Sequence, residues 1–373
     1  MSESNSKKTF QNLNGLRFIG ALSVFIFHSF TLSREIWGEF YQHSLFKGIY
    51  QLASRGHYGV GLFFVLSGFL IVTLMLRELD TSKTINIKNF FLRRILRIWP
   101  VYFAVVIFGF LLFPHLPFGK PTIHSLWYFT VFLSNIDEIW VGMSDSLTFL
   151  TVTWSVSIEE QFYLFLFLVL GFFPFLRKRK YILAYLLTVI LVCIVFRSIN
   201  YADERLIYFH SFSVMSDFAV GGLLAFLVSA NKHQFIFKLS RLQIIGIYIV
   251  GVFVLVFSRQ IFQEYLVAVE RIFQGSFFAF VLLDQMFSKY SWFKADKIPG
   301  FFFSGNLTYG FYMYHCVSLY YWAIFFQNNE LTNSPLWFVL YLLLNLSTTY
   351  AVSLLSYYWL EKPFLGMKRY FRD

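Results

Sequence analysis

The sequence predicts an all-α, polytopic integral membrane protein with about ten transmembrane helices and one further helix that is re-entrant or interfacial. Of its 373 residues, 57% are hydrophobic and 22% are aromatic. Only 14% are charged, against about 25% in a typical soluble protein. Apolar runs close to the ~20 residues that a helix needs to cross a bilayer recur along the chain. A soluble fold of this size would lack surface charge, so the expected solvent is a bilayer.

Ten apolar runs are the predicted spans. They are Leu16–Phe30, Tyr58–Leu76, Ile98–Phe113, Ser155–Phe175, Tyr181–Phe196, Ser213–Ala230, Gln243–Ser258, Ile272–Phe287, Leu307–Phe326 and Leu336–Leu360. A further run, Ser125–Leu133, has nine residues and is too short to cross as a helix, so we expect it to be re-entrant or interfacial.

The distribution of positive charge predicts the topology. With the N-terminus in the cytoplasm, 23 of the 31 lysines and arginines fall in inner segments, as the positive-inside rule requires. Residues 1–373 are then one membrane domain, with a polar cytoplasmic N-terminus (1–13) and a basic cytoplasmic tail (365–373). The net charge of +11 marks membrane topology, so no nucleic-acid partner is expected.

Two polar residues of the first span, Arg17 and His28, share one face of the predicted helix. They are eleven positions apart, which is about 20° past three full turns and about 16.5 Å of rise. This face presents a cation near the inner surface and an imidazole toward the outer side. Alternatively, Arg17 is a topology anchor and His28 an interfacial hydrogen bonder.

Arg94 and Arg97 stand at the inner entrance of the third span and project from one side of a helix. Two guanidinium groups held this way suit bidentate binding of phosphate or pyrophosphate. The alternative is topology signalling or contact with anionic lipid headgroups.

Glu159 and Glu160 are expected at the outer end of the fourth span. Adjacent residues point about 100° apart on a helix, so only one can easily face a common cavity. A glutamate facing His28 would fix the imidazole tautomer and stabilise its protonated form. The alternative is a favourable interaction with the helix dipole.

Other polar residues are weaker candidates. Ser67, Asp217 and His315 are candidate supports of a substrate site, although Asp217 and His315 also fit purely structural roles. Cys316 follows His315 but is expected to point elsewhere, so no Cys-His pair is predicted. The histidines show no metal-ligand spacing, and no metal is expected.

Six segments occur in an order that resembles the membrane-bound acyltransferase 3 family. They are NLNGLRFIGALSVFIFHSF, YGVGLFFVLSGFLI, RRILRIWPVYF, TWSVSIEEQFYLFLF, LTYGFYMYH and SYYWLEKPFL. The resemblance covers nearly the whole chain, from Leu13 to about Phe364, and six ordered segments are highly specific.

The resemblance implies a bacterial inner-membrane enzyme that moves an acyl group, commonly acetyl from cytoplasmic acetyl-CoA, to a hydroxyl of a glycan or glycolipid. Acetyl-CoA is then the donor substrate, and no bound cofactor is expected. Arg17 and His28 match the family's arginine-histidine motif, Arg94 and Arg97 match its RxxR motif, and Trp154–Phe162 matches its glutamate segment. Many members carry an acidic residue at the position of Gly61. Many also continue into an extracytoplasmic SGNH domain, so we expect a stand-alone form here.

These observations together predict that Arg17, Arg94 and Arg97 hold the phosphates of coenzyme A. His28 would act as general base or as acyl-accepting nucleophile, oriented by Glu159 or Glu160. The expected partners are the glycan acceptor and membrane lipids, with the oligomeric state open. The main alternative is a secondary transporter or lipid-linked glycan flippase, although the internal repeats frequent in transporters are not evident.

Overall fold

The computed structural model describes residues 3–34, 36–38, 44–142 and 148–371. Helices form 83% of the structure, and the described ranges contain no β-strand. The all-α prediction is therefore confirmed.

Seventeen α-helices follow one another along these ranges. They are α1 (Glu3–Leu32), α2 (Ser44–Ala53), α3 (Tyr58–Ser82), α4 (Ile87–Ile107), α5 (Leu126–Thr130), α6 (Ser134–Trp140), α7 (Thr153–Phe172), α8 (Arg179–Ile199), α9 (Glu204–Phe209), α10 (Ser211–Val214), α11 (Ser216–Ser229), α12 (Arg241–Val256), α13 (Ser258–Ile261), α14 (Val267–Phe287), α15 (Phe301–Asn328), α16 (Pro335–Ser356) and α17 (Lys362–Met367). Single π-helical turns extend α4 over Phe108–Leu112 and α16 over Tyr357–Glu361.

Eight helical segments of the described chain are long and apolar enough to cross a membrane. A ninth arises if α12 and the 3₁₀ segment before it, which meet at a 110° bend, count as one span. The 28-residue α15 is about 42 Å long, and it packs between α1 and α16. Its many tyrosines and small polar residues lower its hydropathy, so it is not among these eight segments. Adding α15 gives ten long helices, so the polytopic prediction is confirmed.

The short apolar run Ser125–Leu133 does not cross the bundle. Its helical part, α5, has five residues and is therefore only about 7.5 Å long. Phe132 adopts a left-handed φ of 57°, which ends this segment and turns the chain into α6.

Several helices begin earlier than their apolar runs. The first helix starts at Glu3 instead of Leu16, and α4 starts at Ile87 instead of Ile98. Asn86 caps α4 by accepting a hydrogen bond from the Asn89 amide at 3.1 Å. Arg94 and Arg97 consequently lie two to three turns inside α4, about 10–15 Å from its start.

Glycines allow the central helices α3 and α11 to approach closely. A Cβ on Gly68 would lie 2.0 Å from the Phe218 carbonyl oxygen, and one on Gly221 would lie 2.0 Å from that of Val65. Contact between backbones at small residues is a common way for helices to associate in a membrane, where burial of apolar surface gives little driving force.

Several segments rich in lysine and arginine lie together at one end of the bundle, which we call the basic end. They are the first turns of α4, the turn before α15 (Ala295–Lys297) and the last described turn (Lys368–Phe371). The Gly15 amide of α1 donates to Asp296 Oδ1 at 2.6 Å. Arg93 of α4 donates to the Phe371 carbonyl oxygen at 2.5 Å. The first turns of α4 and the last described residues therefore lie together, close to the arginines of the candidate site.

Candidate functional site

A cavity of about 290 Å³ lies within the bundle toward the basic end. Helices α1, α3, α4, α7 and α15 form its walls. The remaining lining comes from the π-helical turn after α16 (Tyr357–Glu361) and from Leu365 and Lys368, which follow this turn. Its polar lining comprises Arg17, Ser67, Arg94, Arg97, Ser155, Glu159, Asn306, Thr308, Tyr309, Tyr312, Tyr357, Glu361 and Lys368.

The three arginines predicted to bind phosphate all line this cavity. Arg17 donates to Asn14 Oδ1 at 2.7 Å, one turn earlier on α1. Arg94 forms an ion pair with Glu159 of α7, and its guanidinium lies 4.0 Å from the ring centre of Tyr163. Arg97 is one turn further along α4 on the same side. Folding thus brings a cation of α1 to the two cations of α4.

The cavity carries an excess of positive charge. Its described lining holds four cations, Arg17, Arg94, Arg97 and Lys368, and two carboxylates, Glu159 and Glu361. Cations enclosed in a cavity with low-dielectric walls attract anions more strongly than the same groups in open water. The arrangement therefore suits a ligand with several negative charges.

Glu159 belongs to this cation cluster. Its Oε1 accepts hydrogen bonds from Ser67 Oγ at 2.8 Å and from the Tyr163 hydroxyl at 2.7 Å, in addition to Arg94. The expectation that it lies at the outer end of the span, across the membrane from the arginines, is wrong. Helix α7 runs antiparallel to α4 and begins beside its middle, where Tyr102 lies 3.5 Å from Ser157. Glu159, further along α7, therefore reaches the level of Arg94.

Glu160 points away from its neighbour, as adjacent helical positions require. It is 4% exposed, and its Oε2 accepts from the Trp99 indole at 3.3 Å. Its Oε1 has no hydrogen-bond partner in the described part of the chain. The expected pairing of a glutamate with His28 is not formed, because both carboxylates turn toward α4.

His28 instead contacts His315 of α15. Its Nδ1 lies 2.8 Å from His315 Nε2, and His315 Nδ1 lies 2.6 Å from the Tyr312 carbonyl oxygen. His315 is fully buried, whereas His28 is partly exposed. His28 is absent from the described lining of the cavity, whose Tyr312 lies one turn from His315.

Cys316 points toward the same pair, contrary to prediction. Its Sγ lies 3.3 Å from His315 Nε2. The ligand atoms of His28, His315 and Cys316 lie within 4.8 Å of one another. Their spacing in the sequence does not reveal this grouping, since α1 and α15 meet only in the folded bundle.

Asp217 forms a separate buried ion pair away from the cavity. Its Oδ2 accepts from Arg271 Nη1 at 2.6 Å, and Asp217 is fully buried. A Cβ on Gly61 would lie 3.3 Å from this oxygen. The contacts favour the structural role for Asp217 over the substrate-facing one.

Sequence reasoning missed Tyr163, Tyr309, Tyr312, Glu361 and Lys368. The last two follow the final apolar run: Glu361 lies in the segment SYYWLEKPFL, where a glutamate at the end of a span was the available signal, and Lys368 lies three residues after that segment. The tyrosines gave no signal, because the chain contains 23 of them.

A helical bundle with membrane-spanning segments and a buried cluster of cations defines an integral membrane protein with an internal, cation-lined cavity. A family sequence model described as an acyltransferase domain matches residues 10–354. The chain therefore belongs to the acyltransferase 3 family of membrane enzymes.

The chain is similar to several bacterial proteins. A Staphylococcus aureus protein provisionally named an O-acetyltransferase is 25% identical over 381 residues, covering 94% of this chain and 56% of the relative. A peptidoglycan O-acetyltransferase of Listeria monocytogenes is 26% identical over 243 residues, covering 61% of this chain and 35% of the relative. The matched part of this chain thus spans little more than half the length of the first relative and about a third of the second. No solved structure matches it.

Proposed function

We propose that the protein is a membrane O-acyltransferase that moves an acetyl group from cytoplasmic acetyl-CoA to a hydroxyl of a glycan or glycolipid. The observation that carries this proposal is the cluster of Arg17, Arg94 and Arg97 around one cavity. The protein would lie in a bacterial cytoplasmic membrane with both termini, and hence the basic end, in the cytoplasm. Residues 1–373 would act as one membrane domain.

The arginine cluster would bind the phosphates of coenzyme A. Guanidinium groups bind phosphate oxygens through paired hydrogen bonds, and three of them from two helices could hold a pyrophosphate. Glu159 would act as a positioning residue, because it holds Arg94 on the cavity wall. Ser67 would support Glu159 by donating to the same oxygen. No bound cofactor is needed, since acetyl-CoA is consumed as a substrate.

The acetyl thioester would extend from the arginines toward His28. Arg17 and His28 are separated by about 16.5 Å of helix rise, which is of the order of an extended pantetheine arm. The end of the cavity away from the arginines reaches Tyr312, whose hydroxyl contacts Ser155 Oγ at 2.7 Å. Both side chains line the cavity, and Tyr312 is one turn from His315, so the arm would pass beside this hydrogen bond.

His28 would remove the proton from the acceptor hydroxyl. The oxygen attacks the thioester carbonyl, the C–S bond breaks, and the coenzyme A thiolate takes the proton back from the imidazolium. In the other route, an imidazole nitrogen of His28 attacks the thioester and the thiolate leaves. The acceptor oxygen then takes the acetyl group from His28, and the hydroxyl proton goes to the coenzyme A thiolate. Rapid quenching followed by mass spectrometry of the His28 peptide distinguishes the two routes.

The acceptor would be a glycan hydroxyl presented from the outer side. The Listeria relative is named for acetylating peptidoglycan, and a Bacillus subtilis relative is provisionally named for the same reaction. We propose an acceptor of this chemical class, a cell-surface or exported polysaccharide or its lipid-linked precursor. Mass spectrometry of cell-surface glycans with and without the protein identifies it.

The test uses purified protein in lipid nanodiscs with radiolabelled acetyl-CoA. We expect wild-type protein to bind acetyl-CoA and label the acceptor, and His28→Ala to bind it without labelling the acceptor. The double variant Arg94→Ala/Arg97→Ala should lose binding by calorimetry. Arg179→Ala is the matched control, because Arg179 is an exposed arginine paired with Asp80 on the surface. Labelling at the wild-type rate by His28→Ala, or unchanged binding by the double variant, contradicts the corresponding assignment.

A further inference from the structure

We propose that His315 is a positioning residue that sets the tautomer of His28, so that the unprotonated Nε2 of His28 is the atom available to the substrates. This inference rests on the proposed role of His28 and adds to it the atom that reacts. It rests on a chain of two hydrogen bonds that begins at a backbone carbonyl of α15.

The first hydrogen bond fixes the proton on His315. Its Nδ1 lies 2.6 Å from the Tyr312 carbonyl oxygen, which can only accept, so Nδ1 carries hydrogen. The ring is fully buried, and its described neighbours are His28, Cys316 and the rings of Phe25 and Tyr312. A charged ring is costly in such surroundings, so the imidazole is neutral and its Nε2 is an acceptor.

The second hydrogen bond determines which ring nitrogen of His28 carries a proton. Its Nδ1 lies 2.8 Å from His315 Nε2, and two unprotonated nitrogens would not form a hydrogen bond at that distance. Since His315 Nε2 accepts, His28 Nδ1 donates and carries the hydrogen. The remaining nitrogen of a neutral His28, Nε2, therefore has a free lone pair.

His315 can thus orient the imidazole of His28, which is the role that the sequence predicted for Glu159 or Glu160. A neutral imidazole fixes the tautomer of His28 without placing a second charge in the membrane interior. Its hydrogen bond also becomes stronger once His28 takes up a proton, because the donor is then ionised. Cys316, whose thiol is a weak donor at 3.3 Å from the same Nε2, is not required for this arrangement.

Two substitutions of His315 separate this role from simple packing. The Oε1 of His315→Gln can take the place of Nε2 and accept from His28. His315→Asn has the same amide on a side chain one methylene shorter, so it can occupy only the Nδ1 position. We expect His315→Gln to keep the acetylation rate within about tenfold, His315→Asn to lose about 10²–10⁴-fold, and the control Cys316→Ala to stay near wild type. All three should bind acetyl-CoA as wild type does, which shows that they are folded.

A spectroscopic measurement tests the tautomer without any activity. Protein with ¹⁵N-labelled histidine, in nanodiscs, gives nitrogen signals that differ between protonated and unprotonated positions, and His28→Gln identifies those of residue 28. We expect Nδ1 protonated and Nε2 unprotonated on His28, with Nδ1 protonated on His315. The opposite tautomer of His28 would overturn the proposal, and so would equal losses of rate in the Gln and Asn variants.

Two further outcomes are informative. A stoichiometric metal ion that is lost in His315→Gln would also overturn the inference, because His28 Nδ1 would then be a ligand instead of a donor. If His28→Ala keeps full activity, the catalytic role proposed for His28 fails, whereas the nitrogen signals still decide the tautomer.

Discussion

Arg94 of α4 and Glu159 of α7 form an ion pair on the wall of the cavity, with side chains that are 15% and 18% exposed. The same carboxylate oxygen accepts hydrogen bonds from Ser67 and Tyr163. One glutamate therefore ties three helices together and holds a cation at the proposed phosphate site.

Replacing Glu159 with glutamine should lower the free energy of unfolding, whereas the same replacement of Glu160 should not. Glu159→Gln weakens the charge-assisted hydrogen bonds of Oε1, and we expect unfolding free energy to fall by about 1.5–3 kcal/mol. Glu160→Gln removes a buried carboxylate with one unpartnered oxygen, so it should be neutral or stabilising. Thermal unfolding in detergent measures both variants, and equal losses would contradict the distinction.

Lys368 should contribute to coenzyme A binding, since it is the fourth cation that lines the cavity. Replacing it with glutamine removes one attractive charge, and we expect the Kd for acetyl-CoA to rise about tenfold, equivalent to about 1.4 kcal/mol. The control is Lys362→Gln, because Lys362 lies over the ring of Tyr358 and is outside the described lining. Calorimetry at low and high salt measures both. A similar change in the control variant would indicate a general effect of net charge.

An aspartate at position 61 should partly replace Asp217 as the ionic partner of Arg271. Asp217→Asn leaves Arg271 without its buried partner, and we expect a loss of about 3–5 kcal/mol of stability. A Cβ on Gly61 would lie 3.8 Å from Arg271 Nη1, so Gly61→Asp should restore part of this loss in the Asp217→Asn background. Gly61→Asn in the same background is the control for size. Equal stability of the two double variants, compared by thermal unfolding, would exclude charge compensation.

Glu138 of α6 should make stability depend on pH. It lies outside the spans and is 1% exposed, and neither carboxylate oxygen has a hydrogen-bond partner in the described chain. Burial raises the pKa of Glu138 to about 7 from its ordinary value of 4.5, although nearby His124 and the side chain of Thr151 oppose the shift and Asp137 adds to it. The folded protein therefore holds this proton more tightly than the unfolded chain does.

The stability contributed by protonated Glu138 is full below pH 4.5 and is lost as pH rises to about 7, by at most about 1.4 kcal/mol per pH unit. We expect the Tm of wild type to fall between pH 5 and pH 8 by more than that of Glu138→Gln. The two unfolding curves are compared across this range. The same pH dependence in both proteins would show that another group is responsible.

The long helices and the placement of Arg94 and Arg97 on one helix face were predictable because they depend on local patterns. Apolar runs determine which segments are buried in the bilayer, and helical spacing places Arg94 and Arg97 on one side of α4. The family resemblance came from the same contiguous segments. The depth of Arg94 within its helix did not follow from the apolar run, because α4 begins at Ile87, eleven residues before that run.

Which side chains meet across helices was decided only by the tertiary structure. His28 and His315 are 287 positions apart, and Lys368 reaches the cavity of Arg17 from the far end of the chain. Helical periodicity specifies the direction of a side chain relative to its own axis. It leaves open the rotation and axial shift between two helices, and these follow from close packing at positions such as Gly68 and Gly221. For this reason the sequence predicted a glutamate beside His28, whereas the fold placed a histidine there.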